Sequence, residues 1–430
     1  MAGEWETKRI GDLGRVVTGK TPSTAVAENF GGNYPFITIP DMDGRREISH
    51  SARTLSEQGA QSLRTCRLPP GAVMMSCIAT IGNCGITTRP SFTNQQINSL
   101  ICGDDVDPKF VYYCFTQLGH ALEAAGGGGS VYTNVSKSRF EEIELTLPPL
   151  AEQKAIAAVL GALDDKIELN RRMNATLEAM ARALFQSWFV DFDPVRAKLD
   201  GRPPAALDPA TAGLFPDSFQ DSTLGHIPKG WETGSILRQA DLLSGGTPKT
   251  DVPAYWNGDV PWASAKDVSQ CGEAFLVTTE RTITKQGVEE SSTKIIPANA
   301  TVVVARGATT GRLTMFGHAM AMNQTCYGLR SKVGAPFALY CNARHFIERL
   351  VQGGHGSIFD TITTSTFEAT DVLLAPKEVL LAFDKQVTPL FQQVHANLHQ
   401  SRTLATLRDT LRPKLLSGEL SVAELQAAVS

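Results

Sequence analysis

The sequence contains no apolar run that approaches the roughly 18 residues of a membrane-spanning helix, and its best candidate, ALFQSWFV, is far too short. The opening residues, MAGEWETKRI, are charged and have no apolar core, so we predict no signal peptide. The eight cysteines form no CxxC pair and have no histidine at ligand spacing. They predict free thiols of a cytoplasmic protein, and neither a disulfide framework nor a metal site.

An excess of basic residues is also missing. The 430 residues include 40 Lys and Arg against 44 Asp and Glu, a formal net charge of −4. This balance is a poor match for a protein that binds DNA alone, so a nucleic-acid function would need local basic residues or a partner. The hydrophobic content of 42% is typical of a globular protein, and the length allows two or more domains.

Catalytic signatures are sparse. The sequence has no NPP[YF] or DPPY motif of an amino-methyltransferase and no glycine-rich cofactor loop after a clear strand. The histidines are scattered, so no Ser-His-Asp or Cys-His set can be nominated. We therefore predict no catalytic residues.

The sequence does contain two long stretches with heptad seams, which predict helices over 151–190 and 377–417 that pair with each other. Each seam position of the first helix has a counterpart 227 residues later, and an asparagine interrupts both seams. A buried polar residue in such a seam fixes the register of the pair at some cost in stability. The predicted helix-pairing residues are Ile156, Leu163, Asn170, Leu177, Leu184, Phe383, Leu390, Asn397, Leu404 and Leu411.

The same spacing recurs outside the helices, which indicates that the chain is a duplication. Trp5 is matched by Trp231 at a separation of 226 residues, and Asn94-Gln95 is matched by Asn323-Gln324 at 229. Short β-prone runs between Gly, Pro, Asn and Asp predict an α+β domain before each helix. The predicted segments are a first domain at 1–150, a first helix at 151–190, an extended, partly ordered connector at 191–230 that lies on the surface of a domain, a second domain at 231–376, a second helix at 377–417 and a tail at 418–430.

One motif suggests a different function. Residues 14–21, from Gly14 to Thr21, match the P-loop pattern GxxxxGK[ST] in full. A P-loop needs a buried strand before it and a helix after it, whereas here the preceding residues are polar and Pro22 follows at once. The duplicate loop has Gly246 in place of Lys20. A P-loop NTPase is therefore an alternative interpretation, and not the favoured one.

Small polar residues recur in the loops of both copies and are the candidates for nucleic-acid contact. Amides can pair with base edges, while hydroxyls, lysines and backbone N–H groups suit phosphates. Arg306 is the best single candidate for a guanine contact. The alternative is that these residues are turn formers and internally bonded amides. The candidates are Lys20, Thr21, Thr80, Asn94, Gln95, Ser130, Thr247, Lys249, Arg306, Thr309, Asn323, Gln324 and Ser357.

The passage PPLAEQKAIAAVL…LFQSWFVDFDPVRAKLDGRPP…LFPDSF…LGHIPKGWE resembles the specificity (S) subunit of Type I restriction–modification systems, and the resemblance covers the chain nearly end to end. It implies two similar target-recognition domains, each reading one half of a bipartite, asymmetric DNA target. It further implies an antiparallel coiled coil that sets the spacing and docks two methylase (modification) subunits, with restriction subunits completing the complex. S-adenosylmethionine would be bound by the methylase, and ATP and Mg by the restriction subunit, so no cofactor is expected on this chain.

The duplication itself favours a pseudo-two-fold arrangement, because two copies of a domain–helix unit with matching seams are most simply related in that way. Helices of about 50 Å would separate two half-sites by one DNA turn or more. We also expect Trp188, Phe189 and the outer helix faces to await a partner, which would make the isolated protein poorly soluble and a weak DNA binder. A coiled-coil scaffold without DNA readout, or a specificity subunit of a related system with a differently arranged methylase, remain alternatives.

Overall fold

The computed structural model describes residues 5–78, 80–126, 134–353 and 361–429. The chain divides into two compact units, Met1–Leu169 with Ser401–Ser430, and Asn170–Gln400. Each unit contains one copy of the repeated domain together with part of both long helices.

The first copy consists mainly of short strands with a few helices among them, as the punctuated β-prone runs predict. Its strands and helices are β1 (Glu6–Arg9), β2 (Gly14–Thr18), β3 (Phe30–Ile37), β4 (Glu47–Ile48), β5 (Thr54–Leu55), α1 (Glu57–Ser62), β6 (Val73–Ser76), β7 (Cys84–Thr87), β8 (Phe92–Thr93), β9 (Ile97–Cys102), α2 (Pro108–Gly126), α3 (Lys137–Glu142) and β10 (Glu144–Leu147). The long helix α4 (Leu150–Phe189) follows directly.

Two sheets build the first copy. One has the order β2-β9-β6-β7-β4, the other has the order β5-β3-β8, and β1 pairs with β10 separately. The central strand β6 is buried at every position because both of its faces are covered. Val73 and Met75 pack with residues of α2, such as Phe110, and Met74 packs on the opposite side with Ile37. This explains why the strand is a continuous apolar run and does not alternate.

Between the copies, the chain forms α5 (Asp193–Leu199), α6 (Pro209–Gly213) and the hairpin β11 (Phe219–Ser222) to β12 (Gly225–Pro228). The connector is therefore more structured than an extended segment. Phe192 and Phe215 are buried against Trp231, so the connector helps to form the core of the second unit.

The second copy repeats the first. Its strands and helices are β13 (Glu232–Ser235), β14 (Ala240–Ser244), β15 (Trp256–Ala263), α7 (Ala265–Gln270), β16 (Phe275–Leu276), β17 (Arg281–Ile283), α8 (Lys285–Glu289), β18 (Ile295–Ile296), β19 (Thr301–Val304), β20 (Leu313–Phe316), β21 (Met320–Met322), β22 (Cys326–Ser331), α9 (Pro336–Gly353), α10 (Thr364–Ala369) and β23 (Asp371–Leu374). The chain ends with α11 (Lys377–Ser417) and α12 (Val422–Val429), so the predicted tail contains a helix.

The strand order confirms the duplication. The larger sheet of the second copy, β14-β22-β19-β20-β16, corresponds strand for strand to the larger sheet of the first. The smaller sheet, β17-β15-β21-β18, corresponds to β5-β3-β8 with the addition of β18. Even the register shift within β3, between Phe30 and Tyr34, recurs within β15, between Trp256 and Val260. The α+β class with two similar domains, each followed by a long helix, is confirmed.

The two long helices, of 40 and 41 residues, pack together in antiparallel fashion. In the second unit, Asn170 near the middle of α4 contacts Gln400, while Phe185 further along α4 contacts Phe383 near the start of α11. Positions that advance along α4 thus meet positions that retreat along α11. Apolar residues at heptad spacing form the seam along which the two helices pack.

Candidate nucleic-acid interface

In the first copy, the loop after β2 is held against the turn between β8 and β9. A side chain at Gly19 would collide with the backbone oxygen of Asn94, since an added Cβ would lie 2.2 Å from it. Two residues further on, the Thr21 hydroxyl donates a hydrogen bond of 2.7 Å to Oε1 of Gln95. Pro22, which follows, is buried and anchors the loop. We call this Thr21–Gln95 hydrogen bond the first clamp.

The second copy contains the same arrangement. An added Cβ at Gly245 would lie 2.1 Å from the backbone oxygen of Asn323. The Thr247 hydroxyl donates to Oε1 of Gln324, and Pro248 is buried. We call this Thr247–Gln324 hydrogen bond the second clamp. Both glutamines are exposed. The close backbone approach at a glycine and the Thr-Pro dipeptide together position an exposed amide on each domain.

The neighbouring asparagines have a different role. Oδ1 of Asn94 accepts the backbone N–H of Gln96, and its Nδ2 donates to the Gln96 side chain. Oδ1 of Asn323 likewise accepts from the backbone and the hydroxyl of Thr325. Both asparagines are half-buried. They serve as turn formers, which was the alternative interpretation of the Asn-Gln pairs.

The basic and hydroxyl candidates lie on loops. Lys20 and Lys249 are exposed beside the two clamps, and Arg306 is exposed before Gly307, whose φ of +97° favours glycine. Thr309 is exposed and lines a polar cavity with Glu178. In the first copy, Thr80 is exposed, and its backbone oxygen accepts a hydrogen bond from Ser76. Two further candidates, Ser130 and Ser357, lie outside the described residues.

The P-loop interpretation is wrong. Residues 14–18 form strand β2, which pairs with β9 from Gly14 opposite Cys102 to Thr18 opposite Asn98. A phosphate-binding loop would need these backbone N–H groups to be free to converge on a ligand, and β2 leads into a loop and not into a helix.

A pair of arginines was missed by sequence reasoning. Arg53 lies over the Phe30 ring, with its guanidinium carbon 4.4 Å from the ring centroid, and Arg281 lies 3.5 Å from the Trp256 centroid. Both arginines are exposed and held by stacking on an aromatic face. The signal was the recurrence of the aromatic residues at a separation of 226 residues and of the arginines at 228.

The predicted helix-pairing residues are all at least partly removed from solvent. Ile156, Asn170, Phe383 and Asn397 are buried. The remaining members are half-buried: Leu163, Leu177, Leu184, Leu390, Leu404 and Leu411.

A polar layer lies in the middle of the helix pair. Nδ2 of Asn170 donates to the backbone oxygen of Asn397 at 3.4 Å and to the Gln400 side chain at 2.9 Å. Nδ2 of Asn397 donates to Oδ1 of Asn174 at 2.9 Å. Because Asn170 and Asn397 are matching positions of the two copies, the two helices contact each other there through equivalent residues.

The expectation that Trp188 and Phe189 await a partner is wrong. Trp188 is 1% exposed and Phe189 is 7% exposed. Both rings pack edge-on against Phe383, and Trp188 also meets Phe215 of the connector. The chain itself covers these aromatic residues, since the connector folds back onto the end of α4.

The second unit contains buried carboxyl groups with raised pKa values. Burial raises the pKa of Glu178, which accepts the backbone N–H of Ala274, and the neighbouring Glu273 raises it further. Burial also raises the pKa of Glu273 itself and that of Asp384, which accepts two backbone N–H groups at the start of α9. These groups bind domain to helix.

In the described part of the chain, no group of three or more His, Cys, Asp or Glu side chains is placed to hold a metal ion. No helix among the same residues is both long and apolar enough to cross a membrane. The cysteines of the described ranges are free thiols.

A family model described as the Type I restriction modification DNA specificity domain matches residues 2–179 and 228–405. These matches cover most of the chain, so the chain belongs to this family and carries its domain twice. The boundaries coincide with the duplication seen in the strand order.

Relatives support the same assignment. The chain is 28% identical over 440 residues to the Type I restriction enzyme MjaIX specificity subunit of Methanocaldococcus jannaschii, an alignment covering 98% of this chain and 95% of that relative. It is 28% identical over 334 residues to the HindI specificity subunit of Haemophilus influenzae, covering 67% of this chain and 72% of that protein. The crystal structure of a Type I restriction-modification S subunit from M. genitalium has the same fold, with a TM-score of 0.55 at 14% identity over 96% of both chains.

Proposed function

We propose that this chain is the DNA sequence-specificity subunit of a Type I restriction–modification complex, in which each recognition domain reads one half of a bipartite, asymmetric target. The observation that carries the proposal is that the chain holds two copies of the family's DNA specificity domain, each with a clamp that exposes a polar loop. The surroundings of the two clamps differ, since Lys20 is replaced by Gly246 and Tyr34 by Val260. The two half-sites should therefore differ in sequence.

The proposal requires that residues 1–150 and residues 231–376 each contact the DNA duplex. The basic candidates Lys20 and Lys249 suit phosphate oxygens, and the exposed Arg306 suits the O6 and N7 acceptors of guanine. Thr309 lies on the same loop as Arg306, and its hydroxyl, like that of Thr80 in the first copy, suits a phosphate oxygen. The paired helices fix the distance between the two domains, and the polar layer at Asn170 and Asn397 fixes the register of that spacer.

Two methylase subunits are the proposed partners, and restriction subunits complete the complex. The net charge of −4 leaves much of the phosphate affinity to those partners. Two exposed apolar residues occupy matching positions on the long helices, Met180 on α4 and Leu407 on α11, at 52% and 45% exposure. Matching apolar positions suit two copies of the same partner.

Chemistry is proposed to lie entirely in the partners. S-adenosylmethionine belongs to the methylase and ATP with Mg to the restriction subunit, while this chain binds no cofactor and works in the cytoplasm. The family model and the relatives, which are named specificity subunits, support this division.

The test is a methylation map of DNA from a host that expresses this chain with its neighbouring methylase. A bipartite, asymmetric motif with one methylated adenine on each strand is the expected result. Exchange of residues 1–150 for the corresponding domain of another specificity subunit should change one half of that motif and leave the other half unchanged. A stable complex that never methylates a defined sequence would instead favour the coiled-coil scaffold.

The docking of the methylase subunits is tested by a separate measurement. Met180→Asp and Leu407→Asp should each weaken the binding of one methylase subunit, giving a complex with one methylase fewer by native mass spectrometry. Ala175→Asp adds the same charge at another exposed position of α4 and serves as the control. Equal loss in all three variants would argue against a specific docking surface.

A further inference from the structure

The two clamps fix the orientation of an amide as well as its position. In each clamp the threonine hydroxyl donates to the Oε1 atom of the glutamine. The amide therefore has its oxygen engaged by the protein, and its Nε2 group is left with two N–H donors. Because Gln95 and Gln324 are both exposed, these donors are available to an acceptor outside the chain.

This orientation disfavours the usual readout of adenine. A glutamine that recognises adenine uses its oxygen to accept from N6 and its nitrogen to donate to N7, so both ends of the amide must face the base. In the clamps, Thr21 or Thr247 occupies one lone pair of that oxygen and turns it towards its own loop, so the two N–H donors are the end of the amide that the clamp leaves unbonded. The exposed end suits a group that only accepts hydrogen bonds, such as a phosphate oxygen.

The repetition of the clamp indicates a contact that does not depend on sequence. The two copies keep the glycine, the threonine, the buried proline and the glutamine, whereas Lys20 and Tyr34 are replaced by Gly246 and Val260. A residue that reads a base would differ between domains that read different half-sites. A residue that holds the sugar–phosphate backbone is needed by both domains.

We propose that Gln95 and Gln324 are matched phosphate anchors, each oriented by the hydroxyl of Thr21 or Thr247, that set the register of their domain on the duplex. This inference rests on the proposed function, since it assigns a role within DNA recognition. The residues that differ between the copies then carry the base readout.

The decisive variant is Gln95→Glu in the complex with the methylase. A glutamate carboxylate can still accept the hydrogen bond of Thr21, so the clamp and the fold are retained. The substitution removes both N–H donors and places a negative charge against a phosphate. We expect DNA affinity to fall about tenfold or more, for the cognate duplex and for every single-base variant of it alike.

Fluorescence anisotropy with a duplex that carries the mapped target measures this effect. Gln58→Glu adds the same charge at an exposed position of α1 in the same domain and should leave affinity within about twofold of the unsubstituted protein. Thr21→Val, which releases the amide, should weaken binding by about three- to tenfold, again equally for all duplexes. Gln324→Glu should repeat the result of Gln95→Glu in the second half-site.

Two outcomes overturn the inference. An affinity of Gln95→Glu equal to that of the control would mean that the clamp does not meet DNA. A loss confined to substitutions at one base pair, or a changed preference there, would mean that Gln95 reads a base. Failure of the proposed function is distinct, because then the unsubstituted complex would itself show no preference between the cognate duplex and a scrambled one.

Discussion

One contact between a recognition domain and the long helices, at Tyr113 in the first unit and at the matching Tyr340 in the second, is polar in the first unit and aromatic in the second. In the first, the Tyr113 hydroxyl donates to Asp164 on α4 at 2.6 Å, and Arg408 on α11 donates to the other carboxylate oxygen at 2.6 Å. The Asp164 side chain is only 11% exposed. Arg46 adds a further ion pair to the neighbouring Asp165, also at 2.6 Å.

The second unit uses the corresponding positions differently. Tyr113 corresponds to Tyr340, but Asp164 corresponds to Phe391, each 227 residues later. The Tyr340 ring meets Phe391 edge-on at 5.9 Å, and Phe337 stacks on Phe391 with the ring centroids 4.6 Å apart. Arg408 has its counterpart in Ala181, which leaves room for these rings.

One backbone arrangement is therefore held by two kinds of chemistry in the two units. The aromatic contact gains stability from buried area, whereas the polar contact depends on each charge keeping its partner. A single residue of one set could not replace its counterpart in the other set, because a carboxylate among the phenylalanines would be buried without a partner. This difference helps each domain to pack on its own part of the helix pair.

The largest expected effect comes from breaking the aromatic contact. Phe391 is 1% exposed, so Phe391→Ala should destabilise the second unit by about 3–5 kcal/mol through lost burial and a residual cavity. Hydrogen exchange under native conditions should show faster exchange in residues 170–400. Phe391→Leu, which keeps most of the volume, should cost less than half as much, and equal losses would contradict a packing origin.

Breaking the polar contact should have a somewhat smaller effect. Asp164→Ala leaves Arg408 and the Tyr113 hydroxyl without their shared acceptor and should destabilise the first unit by about 2–3 kcal/mol. The same exchange measurement should now localise the change to residues 5–169 and 401–429. Part of the stability loss of Asp164→Ala should disappear at high salt. High salt should leave the stability loss of Phe391→Ala unchanged.

A double substitution sharpens the comparison further. Asp164→Phe with Arg408→Ala gives the first unit the residues that the second unit has at Phe391 and Ala181. Replacement of a buried ion pair by well-packed apolar groups is often neutral, so the double variant should lie within about 1 kcal/mol of the unsubstituted protein. A loss as large as that of Asp164→Ala would show that the polar contact is required by its surroundings.

The pH dependence of the two units should also differ. Burial raises the pKa of Glu178 and Glu273 in the second unit, so ionising them costs native stability. That cost is present above their folded pKa values and disappears as the pH falls towards the unfolded value of about 4.3. Protonation of these carboxyls should therefore stabilise the second unit progressively as the pH is lowered from neutral to about 4.5.

Urea unfolding of Glu178→Gln, followed by exchange in residues 170–400, measures this contribution. The variant should be more stable than the unsubstituted protein at neutral pH, and the difference should shrink as the pH is lowered. An advantage of Glu178→Gln that grows on acidification would contradict the assignment. Glu368→Gln, at an exposed position of α10 in the same unit, is the control.

The smallest expected effect concerns the polar layer, where the copies keep the same residue. Asn170→Leu with Asn397→Leu should raise the stability of the helix pair by roughly 1 kcal/mol and loosen its register. Spin labels at the exposed positions 175 and 392 should then show a broader distance distribution. A narrow, unchanged distribution would mean that the apolar seam alone fixes the register.

Much of the fold could be predicted because it depends on periodic or repeated features. Seven-residue steps predicted both long helices, and the constant separation of matching residues predicted two copies of one domain. The match of Gly14 to Thr21 with a P-loop was misleading because a short pattern does not encode the pairing of β2 with β9. The burial of Trp188 was missed because it depends on the connector folding back to place Phe215 on the ring and on Phe383 of the distant helix α11.

The sequence by itself determined the duplication, the helix seams and the family, since each is written in spacing that needs no knowledge of distant contacts. Only the tertiary structure decided which amide of each Asn-Gln pair faces outward, because Asn94 bonds within its turn while Thr21, some seventy residues earlier, orients Gln95. It likewise decided that Asp164 meets Arg408 where Phe391 meets Tyr340. Contacts between residues far apart in the chain set both outcomes, and no local pattern records them.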